Sequence, residues 1–332
     1  MKFKQLLKWL NRLVILAGGS AFLATFLGFL GQFWWVFELL DHPRPQYCLI
    51  LVAATIAGAL LQQAWIFVLC LPIALNLLLI LPLFFAPSQG NGQDLLDSVA
   101  TPSLQIVHAN LDRNNQNIHQ AIGYLSQQKA DVIFLQEVTP EWFAELEAKL
   151  SGYRVVISQP LNNTQGVAMF VPLDSTSVEV LKTEIIHLPD RSDRPIIEAI
   201  VRVSGQEIAL LSLHTIRPRS RSTSAYQQRE FSAAAQWSQT QLKTGREAIV
   251  IGDFNSTPWS GRFRQFLRES SLINSLQGYG LQPTWLAGLP SVLMIPIDGC
   301  VHSQSIVTQQ RLIGQDIGSD HLPLSVTFRL DS

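Results

Sequence analysis

Asp253 and Asn255 are the residues whose types and spacing most clearly suggest chemistry. They follow the apolar run 249–251 and Gly252, and a Ser-Thr-Pro turn begins at Ser256. This pattern predicts a buried strand that ends in a turn. Because side chains alternate along a strand, Asp253 and Asn255 point to the same side. A carboxylate and an amide directed at one point suit a hard cation, a phosphate or a water, although a plain polar turn would carry the same residues.

Further polar residues stand next to other apolar runs, at positions where a strand begins or ends. They are Asn110, Glu137, His214, Asp298, Asp320 and His321. One such residue is typical of a turn, but stability does not require a set that includes a Glu and two His. A carboxylate can activate water, and a His beside a carboxylate can stay protonated and donate. Together these residues predict one site.

The elements that position these residues are mostly strands. We expect strands at 104–110, 131–137, 154–158, 166–171, 178–187, 195–203, 207–214, 249–253, 293–301, 305–312 and 322–329, and helices at 118–125, 140–150 and 222–243. This order lacks the steady alternation of strand and helix that a doubly wound sheet requires. It favours a mixed two-sheet sandwich with helices outside.

The first hundred residues hold nearly all the long apolar runs. We expect a transmembrane anchor at 1–86 with helices at 13–36, 47–62 and 65–86, then a linker at 87–103 and a soluble domain at 104–330. The first run is longer than a signal peptide core and exceeds the roughly 20 residues that cross a bilayer. Because the middle run is short, two spans with a re-entrant segment is the alternative.

Positive charge predicts the orientation of this anchor. Four basic residues precede the first run, whereas the first loop carries only Arg44. The positive-inside rule therefore places the N-terminus in the cytoplasm, and three crossings place the soluble domain outside. No ionisable residue lies in the middle of a run, which argues against a transport function.

Composition excludes other classes of function. From Thr101 onward the chain carries 19 Lys and Arg against 21 Asp and Glu, so it shows no basic excess for a nucleic-acid backbone. Its three cysteines, Cys48, Cys70 and Cys300, suggest neither a disulfide framework nor a cysteine-based metal site.

The ordered motifs resemble those of the endonuclease/exonuclease/phosphatase superfamily, which has the deoxyribonuclease I-like fold. The matching segments are 110–112, 135–137, 213–214, 252–255, 297–298 and 318–321. The Gly-Asp-Phe-Asn and Ser-Asp-His motifs, when both are present, are specific for this superfamily. The resemblance implies an α+β fold, a four-layer α/β/β/α sandwich, preceded here by an N-terminal all-α transmembrane segment. The arrangement resembles a membrane-anchored bacterial subgroup.

The resemblance also implies roles for individual residues. Asn110, Glu137 and Asp320 correspond to ligands of Mg²⁺, with Mn²⁺ as an alternative, and His214, Asp253, Asn255, Asp298 and His321 correspond to catalytic residues. Asp253 would handle the attacking water, Asn255 would donate to a phosphate oxygen, and Asp298 would hold His321. Asp112 and Arg194 are the candidates for substrate binding. One departure is Gly299, where many relatives carry His.

The function that the resemblance implies is a membrane-anchored, divalent-metal-dependent phosphoesterase. It would hydrolyse phosphodiester or phosphomonoester bonds by metal-assisted attack of water. Nucleic acid, phospholipid and small phosphoesters all remain open as substrates, and the lipid bilayer is the other expected partner, with no protein partner. The alternative is a non-catalytic membrane-anchored scaffold module. Such a module would be expected to lose residues such as Glu137 or His321, which this chain keeps.

Overall fold

The computed structural model describes residues 2–85 and 102–330. Most of the linker expected at 87–103 therefore lies outside the described residues. Residues 102–330, called the sandwich below, form two six-stranded sheets packed face to face with helices outside. The expected α+β sandwich is thereby confirmed.

The strands are β1 (Ser103–Asn110), β2 (Val132–Gln136), β3 (Tyr153–Gln159), β4 (Val167–Pro172), β5 (Val178–His187), β6 (Pro195–Val203), β7 (Gln206–Ser212), β8 (Glu247–Asp253), β9 (Ile273–Asn274), β10 (Asp298–His302), β11 (Ile306–Ile313) and β12 (Leu324–Leu330). The helices are α1 (Lys2–Gly28), α2 (Trp35–Leu39), α3 (Arg44–Leu60), α4 (Cys70–Ile80), α5 (Ile118–Ser126), α6 (Pro140–Lys149), α7 (Arg221–Lys243) and α8 (Gly261–Ser270).

The strand order brings the polar strand ends together. One sheet runs β11-β12-β1-β2-β4-β3 and the other β5-β6-β7-β8-β10-β9. The parallel pairs β1–β2 and β7–β8 lie at the two sheet centres. Their strands are apolar on both faces because each sheet is covered on both sides. The carboxyl ends of both pairs meet at one edge, where Asp253 N donates to Gln136 Oε1 at 3.1 Å.

Two elements beside this edge differ from the sequence prediction. Helix α8 was not predicted; Ser260 caps it by accepting a hydrogen bond from Phe263 N at 3.1 Å. The strand expected at 293–301 begins only at Asp298. The preceding residues form a short 3-10 helix and a loop, and Pro296 has no N–H to give to a sheet.

The N-terminal helices, residues 2–85, also have bounds other than those expected. Helix α1 covers Lys2–Gly28 rather than 13–36, because a turn interrupts the apolar run after Gly28. Helix α4 lies between 3-10 segments, Ala64–Leu69 and Leu81–Phe84. Lys8–Gly28 and Ala64–Phe84 are long and apolar enough to cross a membrane, and α3 is apolar but shorter.

A polar network ties the three long N-terminal helices together. Asn76 Nδ2 on α4 donates to Thr25 Oγ1 on α1 at 2.8 Å, and Arg44 Nη1 on α3 donates to Asn76 Oδ1 at 2.8 Å. Arg44 also pairs with Asp41, and both are buried. The end of α1, the start of α3 and the later half of α4 therefore meet at one end of the helical group.

That end is docked on the sandwich through the segment 38–46. Glu38 forms a two-point ion pair with Arg262 of α8, at 2.5 and 2.6 Å. Trp259 Nε1 donates to Asp41 O at 2.9 Å, and His42 Nδ1 lies 3.1 Å from Thr257 Oγ1. The N-terminal helices are thus packed against the loop that follows Asp253 and Asn255.

Candidate active site

A cleft of about 530 Å³ opens where the central strands of both sheets end. Most of the predicted site residues line it: Asp112, Glu137, Arg194, His214, Asp253, Asn255, Asp320 and His321. The other two, Asn110 and Asp298, are buried behind the lining and hydrogen-bond to it. The fold therefore assembles all ten predicted residues in one place, although they come from distant parts of the chain.

His321 is held by a buried carboxylate. Its Nδ1 lies 2.8 Å from Asp298 Oδ2, and Nε2 lies 3.8 Å from Asp253 Oδ2. Burial alone would lower the pKa of His321, but the charges of Asp298 and Asp253 outweigh it and raise the pKa to about 10. At neutral pH the ring is therefore protonated, with Nδ1–H on Asp298 and Nε2–H free to donate into the cleft.

Asp298 is held from both sides by histidines. His108 Nε2 lies 3.1 Å from Asp298 Oδ1, opposite the contact with His321. Burial tends to raise the pKa of Asp298, but His321 and His108 hold it well below the usual range. Asp253, Asp298 and His321 are also close enough to bind one metal ion. Because both Asp298 oxygens are already bonded to histidines, this group fits a hydrogen-bonded relay better than a metal site.

Asp253 ends β8 in a buried position. Its Oδ1 accepts a hydrogen bond from Asn255 N at 2.8 Å, and Oδ2 lies 3.5 Å from His214 Nε2. Burial raises the pKa of Asp253 to about 7, against the opposing effect of His321. A carboxylate with that pKa is suited to accept a proton near neutral pH.

Gly252 lets the end of β8 reach this position. Its φ is +149°, and a β-carbon there would lie 2.0 Å from Leu213 O in the adjacent segment after β7. A side chain at 252 would therefore push the two segments apart and move Asp253 out of the cleft.

Asn255 holds Asp253 in place. Its Nδ2 donates to Thr215 O at 2.9 Å and to Asp253 Oδ2 at 3.2 Å. Both amide hydrogens are engaged within the protein, so this geometry gives Asn255 a positioning part rather than the expected donation to a phosphate oxygen. Its Oδ1 faces Arg217 Nε at 3.4 Å.

Glu137 is the carboxylate best placed for a metal ion. Its oxygens accept hydrogen bonds from Asn110 Nδ2 at 3.2 Å and from Arg113 N at 3.3 Å. Burial raises its pKa, although these hydrogen bonds and the charge of His321 act in the opposite direction, and among the described residues no Lys or Arg forms an ion pair with it. A half-buried carboxylate that forms no ion pair with Lys or Arg fits a hard divalent cation. Asn110 was expected to be a second ligand, but it presents its Nδ2 to Glu137, because its Oδ1 accepts a hydrogen bond from Asp112 N at 3.0 Å.

The backbone around Glu137 is strained. Its φ is +59°, and those of Asp112 and Asn255 are +51° and +43°. Asp and Asn tolerate this left-handed region, but for Glu it costs about 1–2 kcal/mol. Such strain persists where the surrounding structure enforces it, which is common at functional sites.

Asp320 and Arg217 form the opposite rim of the cleft. The Asp320 side chain is about half exposed and accepts a hydrogen bond from Trp285 Nε1 at 3.0 Å. The guanidinium of Arg217 lies 4.5 Å from the centre of the Trp285 ring. The carboxylate of Asp320 and the cation of Arg217 therefore both contact Trp285 at this rim.

Arg194 and His214 form the wall beside α7. Arg194 Nη2 donates to His214 O at 2.9 Å, and Nε lies 3.0 Å from Glu230 Oε1. Arg194 is thus a buried residue that holds the end of β7, rather than a free cation on a surface. Burial and the charge of Arg194 lower the pKa of His214 well below its usual value, so that ring is neutral.

Comparison with known proteins identifies the family. The model of the "Endonuclease/Exonuclease/phosphatase family" matches residues 91–321. The chain belongs to this family. Tyrosyl-DNA phosphodiesterase 2 of Gallus gallus is 31% identical over 134 residues, which is 40% of this chain and 34% of that protein. The Bos taurus protein is 33% identical over 107 residues, 31% of this chain and 28% of that protein. The chain thus matches about a third of these relatives' length.

Solved structures confirm the family fold. An endonuclease/exonuclease/phosphatase family protein from Bacteroides thetaiotaomicron aligns with a TM-score of 0.58 at 18% identity, over 70% of this chain and 96% of that chain. Humanized D. rerio TDP2 aligns with a TM-score of 0.55 at 19% identity, over 69% of this chain and 100% of that chain. At these identities the likeness shows the fold alone.

The departure from the family motif at Gly299 has a local cause. A β-carbon at 299 would lie 2.7 Å from Phe254 Cε2. The Phe254 ring is packed among Phe231, Phe263 and Phe266, so it has no room to move aside. Asp298 keeps its place beside His321 without a side chain at 299.

Three residues of the site, His108, Gln136 and Trp285, were not predicted from the sequence. His108 precedes Asn110 by two positions on β1, and Gln136 supplies the bond that joins the two sheets at Asp253. The signal for His108 was present, because the same two-residue spacing identified Asp253 and Asn255. Trp285 of the rim lies in a loop and had no such signal.

Proposed function

We propose that the chain is a divalent-metal-dependent phosphoesterase that hydrolyses phosphodiester or phosphomonoester bonds by attack of water. The observation that carries this proposal is the composition of the cleft. Around one space it combines Glu137, which pairs with no Lys or Arg among the described residues, a proton-accepting Asp253 and a protonated His321. Membership of the family supports the same chemistry.

Each part of the cleft has a role in this reaction. Glu137 and Asp320 would hold Mg²⁺ or Mn²⁺, which supplies charge stabilisation and Lewis acidity when bound. Asn110 holds the Glu137 carboxylate in position through its Nδ2. Asp253 takes a proton from the attacking water. The Nε2–H of His321 donates to a phosphoryl oxygen as negative charge develops there, while Asp298 and its partner histidine keep the ring oriented.

We further propose that residues 1–86 anchor this domain in a membrane and that 87–103 link it to the catalytic domain at 104–330. The network around Asn76 supports an odd number of crossings, because α1 ends, α3 begins and α4 ends on the side of the sandwich. The basic residues before α1 then favour a cytoplasmic N-terminus and an extracytoplasmic cleft.

The substrate proposal follows from this placement. The name of the tyrosyl-DNA phosphodiesterase relatives refers to DNA, but this chain shows no basic excess after Thr101. A cleft held next to a bilayer favours a phosphoester that is present there. Small phosphate esters can test the catalytic function, because their hydrolysis does not depend on the identity of the natural substrate.

The test uses the full chain in detergent micelles. Bis-p-nitrophenyl phosphate and p-nitrophenyl phosphate should be hydrolysed with Mg²⁺ and not with EDTA. Asp253→Asn should lower kcat/KM by about 10²–10⁴-fold, whereas Asp174→Asn, in an exposed turn, should leave it unchanged. If the wild type were inert on these esters, on DNA and on phospholipids with either metal, the scaffold alternative would replace this proposal.

A further inference from the structure

A second cavity lies where the N-terminal helices meet the sandwich. It has a volume of about 320 Å³ and is almost wholly apolar. Cys48 and Leu77 line it from α3 and α4, and Leu281, Val292 and Met294 line it from the sandwich. We call it the junction pocket. Its size lies at the lower end of the range for small-molecule sites, roughly 300–1,000 Å³.

The two walls of the junction pocket are fixed to each other by hydrogen bonds. Gln46 Nε2, at the start of α3, donates to Val292 O at 2.9 Å and to Met294 O at 3.1 Å. Leu83 O, after α4, accepts hydrogen bonds from Gly278 N and Gly280 N at 2.9 and 2.8 Å. The pocket is therefore a built feature of the fold.

The junction pocket opens onto apolar surface. Leu49 of α3 is 55% exposed and Leu81 after α4 is 43% exposed, and both line the pocket. On the sandwich, Val292 and the adjacent Leu293 are also about half exposed. An exposed apolar patch of this kind, continuous with helices long enough to span a bilayer, is typical of a membrane contact.

The same chain segment forms one wall of the pocket and one rim of the cleft. Within 281–298, Leu281 and Met294 line the pocket, whereas Trp285 holds Asp320 on the rim. Thr284 Oγ1 accepts a hydrogen bond from Asp298 N at 3.1 Å, which ties this segment to the carboxylate behind His321. The pocket and the cleft therefore lie on two sides of the segment 281–298.

We propose that the junction pocket is an acyl-chain site, which takes one hydrocarbon chain of a membrane phospholipid whose phosphate group enters the cleft. This rests on the proposed function, because it names a phospholipid as the substrate. A peptide segment fits the pocket poorly, since its backbone N–H and C=O groups would find almost no polar partner there. A hydrocarbon chain needs none.

The first test measures kcat/KM for monomeric phospholipids that share a head group and differ in acyl length. For the wild type it should rise roughly fourfold with each methylene that the pocket buries. Cys48→Trp, which fills the pocket, should flatten this dependence. Cys70→Trp is the matched control, because Cys70 is exposed on α4 and does not line the pocket. The proposal would be overturned if kcat/KM rose equally with acyl length in both variants, or if it did not rise with acyl length in the wild type.

A second variant covers the case in which Cys48→Trp does not fold. Leu281→Asp places a charge in the pocket from an exposed position of the sandwich and should flatten the dependence as well. Leu312→Asp is its control, since Leu312 is also exposed and lies on β11, outside the pocket. Equal slopes for these two variants would count against an acyl-chain site.

The second test does not depend on activity. The full chain is placed in nanodiscs with a phospholipid that carries a photoreactive group on its acyl chain. Cross-links should concentrate in 45–49 and 281–296 and be lost in Leu281→Asp but not in Leu312→Asp. If these cross-links form but no ester is hydrolysed, the proposed function is wrong and the acyl-chain site is supported. If small esters are hydrolysed but the cross-links are spread evenly over α1 and α3, the acyl-chain site is wrong and the proposed function is supported.

Discussion

At the scale of residues, three carboxylates in or directly behind the cleft differ in pKa because their surroundings differ. Two histidines hold Asp298 ionised, burial raises the pKa of Asp253 to about 7, and burial also raises the pKa of Glu137, which pairs with no Lys or Arg among the described residues. Environments that separate the pKa values of neighbouring acids are typical of acid–base assignments in enzymes. We assign orientation to Asp298, proton transfer to Asp253 and metal binding to Glu137.

The protonation of His321 leads to a prediction about pH. Because its folded pKa is raised to about 10, its proton is present at neutral pH and is lost as pH rises through about 10. The kcat/KM should therefore fall on the alkaline side near that value. Asp298→Asn removes a charge that raises this pKa, so the alkaline fall should move to lower pH.

A pH profile of kcat/KM checks this prediction. His119→Asn is the control, because His119 is exposed on α5 and its loss should leave the profile in place. An alkaline fall that stayed at the same pH in Asp298→Asn would show that another group causes it.

The residues of the site could largely be predicted from sequence, because each stands beside an apolar strand and matches a short motif. Their individual partners could not. Arg194 was expected to bind substrate, but it forms an ion pair with Glu230 of α7. That contact joins residues far apart in the chain, and no local pattern marks it.

At the scale of elements, the strands were predicted well because buried strands are continuous apolar runs. The bounds of the buried strand β6 agree with the prediction. Those of β5 agree as well, although β5 is an edge strand with only one buried residue. Helix α8 was missed because it is short and most of its residues are polar or basic. Helix α8 matters for the docking of the N-terminal helices, because its Arg262 binds Glu38 of α2.

The pair Glu38–Arg262 gives a prediction about stability. Both side chains are nearly buried, at 7% and 11% exposure. Removing one partner, as in Glu38→Met, should lower the free energy of unfolding by about 3–5 kcal/mol, because a buried charge is left without its partner. The double variant Glu38→Met/Arg262→Met should recover much of that loss.

Chemical unfolding of the full chain measures these changes. The exposed pair Glu179–Arg202 is the matched control, and breaking it should leave the unfolding midpoint unchanged. If the losses in Glu38→Met and Arg262→Met simply added in the double variant, the pair would not be coupled and the docking would depend on other contacts.

At the scale of the whole molecule, the N-terminal helices and the sandwich are joined by more than a linker. The segment 38–46 and the residues after α4 both bond to the sandwich. The sequence predicted an anchor and a domain separately. Their packing could not be predicted, because it depends on contacts between residues more than 200 positions apart, such as His42 and Thr257.

The arrangement of the helices predicts the topology. The turn between α3 and α4, near Gln62, lies at the far end of the helical group from the sandwich. A green-fluorescent fusion at Gln62 should therefore fluoresce and a phosphatase fusion there should be inactive, and fusions at Asn91 should give the opposite pattern. A cytoplasmic signal at both positions would contradict three crossings.

We propose that the cleft hydrolyses phosphoesters with a divalent cation at Glu137. The most direct measurement is the rate of bis-p-nitrophenyl phosphate hydrolysis as Mg²⁺ is titrated into the metal-free full chain. We predict a saturable rise in the wild type and in Glu147→Gln, which changes an exposed Glu on α6, and a rate lower by about 10²–10³-fold in Glu137→Gln. A rate independent of Mg²⁺, or an unchanged Mg²⁺ response in Glu137→Gln, would contradict metal-dependent hydrolysis at Glu137.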